Sequence, residues 1–215
     1  AVNLASGKYI CFIGDDDGIN PEIIEAARWA DMNEIDALKP TISASYIWPE
    51  SGVSSTLFRN VSASGVLSIN LFTGKIISPN PEKEMEKVVR SGGFKYLETE
   101  IPRLYHGIVK RDCLNEVCKK TGAFFGGLSP DIFAALAVAN FTKNIASIDY
   151  PLTIAGICKS SGSAQSVRGE HVGNLEDAPH FRYRGTYKWA DIIPHFYCVQ
   201  TIWADSTVAA LKALR

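Results

Sequence analysis

Long apolar runs are missing from this 215-residue sequence: nowhere do eighteen apolar residues follow one another, so no segment is expected to span a membrane by itself. An excess of charge of either sign is missing too. The formal net charge is −1, which argues against a nucleic-acid binder held by bulk electrostatics. Cysteine is sparse and unpaired: Cys11, Cys113, Cys118, Cys158 and Cys198 make an odd five with no CxxC spacing. A disulfide scaffold and a structural zinc site are therefore not expected, and a reducing compartment fits better. Residues 1–7 carry neither a basic start nor a long apolar stretch and do not read as a signal peptide. The sequons at Asn60 and Asn140 are accordingly taken as chance matches. No internal repeat is visible.

What is present is an ordinary globular composition, 46% hydrophobic and 21% charged, in a chain long enough to bury a substantial core. One stretch organises it. The β-prone run Tyr9 to Ile13 stops at three consecutive aspartates, Asp15, Asp16 and Asp17, followed by Gly18 and by Asn20-Pro21-Glu22, which opens a helix. Adjacent carboxylates repel one another, and at the end of a buried strand they need a cation or donor groups to compensate them. Open α/β sheets bind ligands at the carboxyl ends of their strands. Hard cations such as Mg²⁺ and Mn²⁺ prefer carboxylate oxygens and keep phosphate and water as further ligands. The residues thus point to a metal–diphosphate site; the competing account is an acidic strand-to-helix turn favoured by a helix dipole.

Along the chain, the spacing predicts a helix from Pro21 to about Ala37 and a strand over Thr41–Trp48 that Pro49 stops. Residues 50–79 read as loops with a small hairpin. A charged helix is expected over Pro81–Ser91, a strand over Arg103–Lys110, and a helix from Asp112 to Lys120 closed by Gly122. The turn Phe124–Asp131 leads into the most apolar helix, Ile132 to Phe141. Strands at 145–148 and 152–158 follow, separated by Tyr150-Pro151. Residues 159–171 show no hydrophobic period and read as a mobile polar loop. An aromatic patch (Tyr183, Tyr187, Trp189, Phe196, Tyr197) precedes a last helix from about Thr201 to Leu214.

Three blocks carry a resemblance: Asn3-Leu-Ala-Ser-Gly-Lys-Tyr-Ile-Cys-Phe-Ile-Gly-Asp-Asp-Asp-Gly-Ile-Asn-Pro21, then His106-Gly-Ile-Val-Lys-Arg-Asp-Cys-Leu-Asn-Glu116, then Gly126-Gly-Leu-Ser-Pro-Asp131. In order and spacing they resemble the C-terminal two-thirds of family-2 glycosyltransferases with the GT-A fold. The first block matches closely and the later two more loosely. The resemblance implies an α/β fold with a mostly parallel, GT-A-like (Rossmann-like) central sheet. It also implies a catalytic unit over residues 1–175 with an aromatic and helical tail over 176–215. The family's opening strand and helix, which hold the base and ribose of the donor, are not matched. An apolar strand at 9–13 wants neighbours on both sides, so earlier βα units are expected to precede residue 1.

The activity implied is metal-dependent transfer of a sugar from a UDP-, GDP- or dTDP-sugar to a hydroxyl on a saccharide or lipid-linked acceptor. It would invert the anomeric centre and would serve bacterial surface-polysaccharide synthesis, in the cytoplasm or at the inner membrane face. Mn²⁺ or Mg²⁺ would be the cofactor. Asp16 and Asp17 fall on the family's acidic pair, while Asp15 with Asp17 satisfies D-x-D directly; which two bind the metal stays open. Asp131 matches the general base that takes the acceptor proton, although Pro130 stands where a glutamate is frequent. Ser129-Pro130-Asp131 is equally a good helix start. Gly126 and Gly127 would let backbone amides approach the acceptor, or simply make the turn. The 159–171 loop would close over the diphosphate with Arg168 and His171 as donors and Ser160, Ser161 and Ser163 as lesser partners. His106, His180 and His195 read as structural.

Two other classes compete. Asp15-x-Asp17-Gly18 resembles the nucleophile motif of haloacid-dehalogenase-type phosphatases, but no later G-D-x-x-x-D cluster follows residue 120. A non-catalytic interaction domain is the third reading. An EF-hand fails because Ile13 and Ile24 would stand at its first and last ligand positions.

Overall fold

The computed structural model describes residues 2–42, 44–55, 61–62, 65–181 and 185–215. The elements run, in chain order, as β1 (Tyr9–Ile10), β2 (Gly18–Ile19), α1 (Ile23–Met32), β3 (Ala37–Pro40), β4 (Ala44–Ile47), β5 (Ser54–Ser55), β6 (Val61–Ser62), β7 (Val66–Ile69) and β8 (Ile76–Ile77). They continue as α2 (Pro81–Arg90), β9 (Ile108–Lys110), α3 (Arg111–Thr121), α4 (Pro130–Phe141), β10 (Ile145–Ile148), β11 (Thr153–Ile157), α5 (Gly162–Val167), β12 (Val172–Gly173), β13 (Tyr197–Cys198) and α6 (Val199–Leu214).

The expected α/β class holds, but the sheets are mixed rather than mostly parallel. A five-stranded sheet has the order β1-β9-β3-β10-β8 and a four-stranded sheet the order β2-β11-β4-β7. In the first only β3 and β10 run parallel, and in the second only β4 and β11. The physical reason is the connectivity. β4 is the next strand after β3 and β11 the next after β10, so the parallel pairing of β3 with β10 recurs in the second sheet as that of β4 with β11. Antiparallel strands from nearby turns fill the flanks. Between the sheets the register shifts by two residues, from Ile145↔Ala37 to Ala155↔Ser45, where Pro151 interrupts the ladder. β1 stands at the edge of its sheet, with β9 as its ladder partner.

α4 is the centre of the main core. Ile132 through Ala139 are all buried, as expected for a helix that is apolar on every face. α2 and α3 flank it, as does α6, whose Trp203, Ala210 and Leu214 join the same cluster. Helix ends follow local chemistry. Asn80 accepts from the Lys83 amide at 2.9 Å with Pro81 in the first turn. Gly122, at φ 77°, closes α3 in the left-handed conformation.

Several expectations are corrected. The first helix stops at Met32, because the chain turns at Glu34 (φ 55°) and Ala37 already belongs to a buried strand. Of the 103–110 strand only Ile108–Lys110 forms; His106 sits at φ 64° in a turn. The 159–171 segment contains a short helix, α5. The 50–79 region does hold a hairpin (β5, β6), and it also supplies edge strands to both sheets through β7 and β8. Tyr183 and Asn60 lie outside the described residues. Among the described residues, no helix is long and apolar enough to cross a membrane.

Candidate active site: an acidic turn beside an apolar cleft

β1 belongs to one sheet and β2 to the other, so the turn between them, Gly14 to Asp17, straddles the two. Ahead of it, Phe12 is tied to the 104–106 segment: its amide donates to Leu104 O at 3.0 Å and its carbonyl accepts from the His106 amide at 2.9 Å. The three aspartates that follow take three different roles.

Asp17 turns inward, its side chain only 3% exposed. Its Oδ2 accepts from the Gly14 amide at 2.5 Å and from the Tyr105 hydroxyl at 2.7 Å, and its Oδ1 accepts from the Gly156 amide at 2.7 Å. His106 Nε2 lies 3.5 Å away. Burial alone would raise this carboxyl; the donors, Gly156 first, outweigh it and hold the group below the usual aspartate range. The same negative charge acts on its neighbours. Burial, then the bond to Asp17, raises the Tyr105 phenol, and burial with Asp17 beside it pushes the Cys11 thiol up to about 12. Burial holds the His106 imidazole below its ordinary value despite Asp17.

Asp16 is half-buried. Its Oδ2 accepts from the Cys158 amide at 3.3 Å and its carbonyl accepts from Trp48 Nε1 at 2.8 Å. A Cβ on Gly156 would stand 1.9 Å from that carbonyl, so β11 can approach the turn only with glycine there. Asp15 is exposed. Asp15 and the second oxygen of Asp16 are therefore the carboxylate groups of the turn left to meet a ligand.

Tyr105 links this turn to a cleft of about 610 Å³, which it lines together with Phe12, Leu104, Phe125, Pro130 and Asp131. Asp131 sits in the first turn of α4, with Pro130 ahead of it. The Ser129 hydroxyl, instead of capping the helix backbone, donates to Asp131 Oδ1. The preceding turn is pinned from α6, where buried Ser206 Oγ accepts from the Leu128 and Ser129 amides at 3.1 and 2.8 Å. Both glycines are required by packing. A Cβ on Gly126 would lie 2.5 Å from the Phe133 ring, and one on Gly127, already at φ 63°, would lie 2.9 Å from Ser206.

The loop residues form a network of their own. Ser161 Oγ caps α5 by accepting from the Ala164 amide and donates to Cys158 O at 3.0 Å. Arg168 donates to Ser51 O at 2.9 Å and Lys159 O at 3.2 Å and pairs with Glu170 at 2.8 Å. His171 meets Ser166 at 2.8 Å and stacks on His180 at 5.5 Å. The backbone of Cys158 joins this network to Asp16, while the polar atoms of Ser161 and Arg168 hold the loop in place. In the tail, Tyr187 donates to Asp205 at 2.6 Å and Trp189 to Ile193 O at 3.0 Å.

Tyr105, Trp48, Gly156 and Ser206 escape sequence reasoning, while His106, read as structural, is held by Thr153 and faces Asp17. The Tyr105-His106-Gly107 run carries the one available signal, a glycine directly after two polar rings; a Cβ there would stand 2.3 Å from Arg103 O. Among the described residues, no group of three or more His, Cys, Asp or Glu side chains is assembled to hold a metal. No protein-family model matches the chain, and no curated protein shows a significant match to it.

Proposed function

We propose that the chain is the catalytic part of a metal-dependent glycosyltransferase that moves a sugar from a nucleoside-diphosphate sugar to a hydroxyl acceptor with inversion. On this reading the fold is GT-A-like, residues 1–175 form the catalytic unit and residues 176–215 its tail. One observation carries the proposal: an acidic turn with Asp15 exposed and one Asp16 oxygen free is joined through Tyr105 to a cleft whose wall carries a further carboxylate, Asp131.

On this reading, because three hydrogen bonds engage Asp17, Asp15 and Asp16 would hold Mn²⁺ or Mg²⁺, with diphosphate oxygens and water supplying the rest of its shell. When bound, such a cation neutralises charge that develops on the departing diphosphate. Asp17 keeps the turn in shape from below. Asp131, oriented by Ser129, would take the proton from the acceptor hydroxyl, and the apolar walls from Phe12, Leu104 and Phe125 would keep water out of the cleft.

Calorimetric titration of UDP and GDP, with and without Mn²⁺, tests the proposal. Binding of at least one nucleotide is expected only with the metal, and is expected to vanish in the Asp15→Asn/Asp16→Asn double variant. Asp131→Asn is expected to bind donor normally and to lose more than tenfold in transfer rate. Transfer within tenfold of wild type would remove Asp131 from the role of base, and no metal-dependent binding of either nucleotide would sink the transferase reading.

A further inference from the structure

A second cavity lies where the β3–β10 ladder ends and the β4–β11 ladder begins. It encloses about 280 Å³ and is lined by Lys39, Glu100, Arg103, His106, Thr153 and Ala155, among others. Its electrostatics are opposite in sign to those of the acidic turn. Lys39 is 5% exposed; its ammonium donates to Thr99 O at 2.6 Å and pairs with Glu100 Oε2 at 3.0 Å. Arg103 donates one nitrogen to Tyr96 O at 2.8 Å and lays its guanidinium 4.7 Å from the centre of the Tyr96 ring. Its Nε–H is enclosed and has no hydrogen-bond partner.

Among the described residues lining the cavity, Glu100 is the one acidic residue. The nearby Glu84 carboxylate is already occupied by Lys87 at 2.6 Å and by the Glu100 amide at 2.8 Å. Two cations thus face a single carboxylate. Burial, and next the charge of Arg103, hold the Lys39 ammonium below its ordinary range. An enclosed excess of positive charge beside an unsatisfied guanidinium N–H is unfavourable without a counter-charge that accepts hydrogen bonds. A planar or tetrahedral oxyanion meets both needs, and Arg is the side chain whose geometry suits it best. His106 forms the shared wall: its Nδ1 meets Thr153 Oγ1 at 2.8 Å on this side, and its Nε2 faces Asp17 on the other. The cavity is therefore separate from the acidic turn, the two lying on opposite sides of His106.

We propose that this cavity binds the carboxylate or phosphate group of a small molecule between Arg103 and Lys39. The test is calorimetric titration of the chain with inorganic phosphate and, separately, with acetate, in the presence of EDTA so that no divalent cation contributes. Saturable binding of at least one of the two is expected, and the tighter one identifies which oxyanion the site takes. Arg103→Gln is expected to weaken it at least tenfold. Because Arg103 also braces Tyr96, that variant can lose its fold. Ala155→Leu fills the void while leaving both cations in place, and is expected to weaken binding at least tenfold as well. The Asp15→Asn/Asp16→Asn variant is expected to bind the oxyanion as wild type does, which separates this site from the nucleotide titration above. Failure of both anions to saturate the wild type, or unchanged binding in a folded Ala155→Leu variant, overturns the proposal.

Discussion

Asp17 shows how far one carboxylate's role depends on its donors. It is one of a run of three in the sequence, yet it alone is buried and takes hydrogen bonds from two backbone amides and a phenol. Asp17→Ala would leave those donors enclosed and unpaired, and the expected loss is roughly 3 kcal/mol, since hydrogen bonds to a charged group contribute about 1.5–3 each and part is recovered by water. Urea unfolding at pH 7 without metal measures it. A change under about 0.5 kcal/mol would mean that Asp17 does not hold the turn. Gly156 is the complementary case. With 1.9 Å between a would-be Cβ and Asp16 O, Gly156→Ala must push β11 off the turn. Its expected cost is about 3 kcal/mol or more, read from the same unfolding curves.

The elements divide into those with local signals and those without. α2, α3 and α4 begin and end near where Asn80-Pro81, Gly122 and Pro130 place them, because capping and φ restrictions act within a few residues. The expected α1 extends five residues too far, to Ala37 rather than Met32. Its apolar period runs on into Ile35 and Ala37, and nothing local announces the left-handed turn at Glu34. α5 leaves no periodic signal, because so short a helix, held by a serine cap, needs no hydrophobic stripe. The turn before α4 depends on another element entirely. Ser206→Ala on α6 removes the acceptor for two buried amides. The expected cost is about 1–3 kcal/mol, and in the transferase reading the displaced Asp131 would lower the transfer rate. Parallel unfolding and activity measurements check both; wild-type values in each would show that α6 does not position the turn.

At the level of the molecule, the tail is packed onto the body. Leu175, Trp189, Tyr197 and Ile202 share a core with Leu128 from the turn before α4. Beside it, His171 and His180 stack and both lean on Tyr197. Burial lowers both imidazoles, and for His180 the neighbouring His171 adds to it, while Asp131 works in the opposite direction. The unfolded chain then takes up protons first as pH falls through the ordinary histidine value of 6.5. The stability held by this pair is complete above that value and is lost below it. Melting temperature is expected to fall between pH 7.5 and 5.5, and to fall less in His180→Gln. Equal drops in both proteins would show that the pair does not govern the acid side.

The α/β class and most helix ends were legible in the residue order, since each rests on interactions within about one turn or one strand. The division of labour among Asp15, Asp16 and Asp17 was not. It is set by Tyr105 and Gly156, which lie 88 and 139 residues from Asp17 along the chain. Strand direction escaped for the same reason: a strand's own side chains report its burial, whereas only the return path of the chain decides which neighbour it pairs with and in which sense. The basic cavity lies where the β3–β10 ladder ends and the β4–β11 ladder begins, and no run of neighbouring residues encodes that meeting of Lys39 with Arg103.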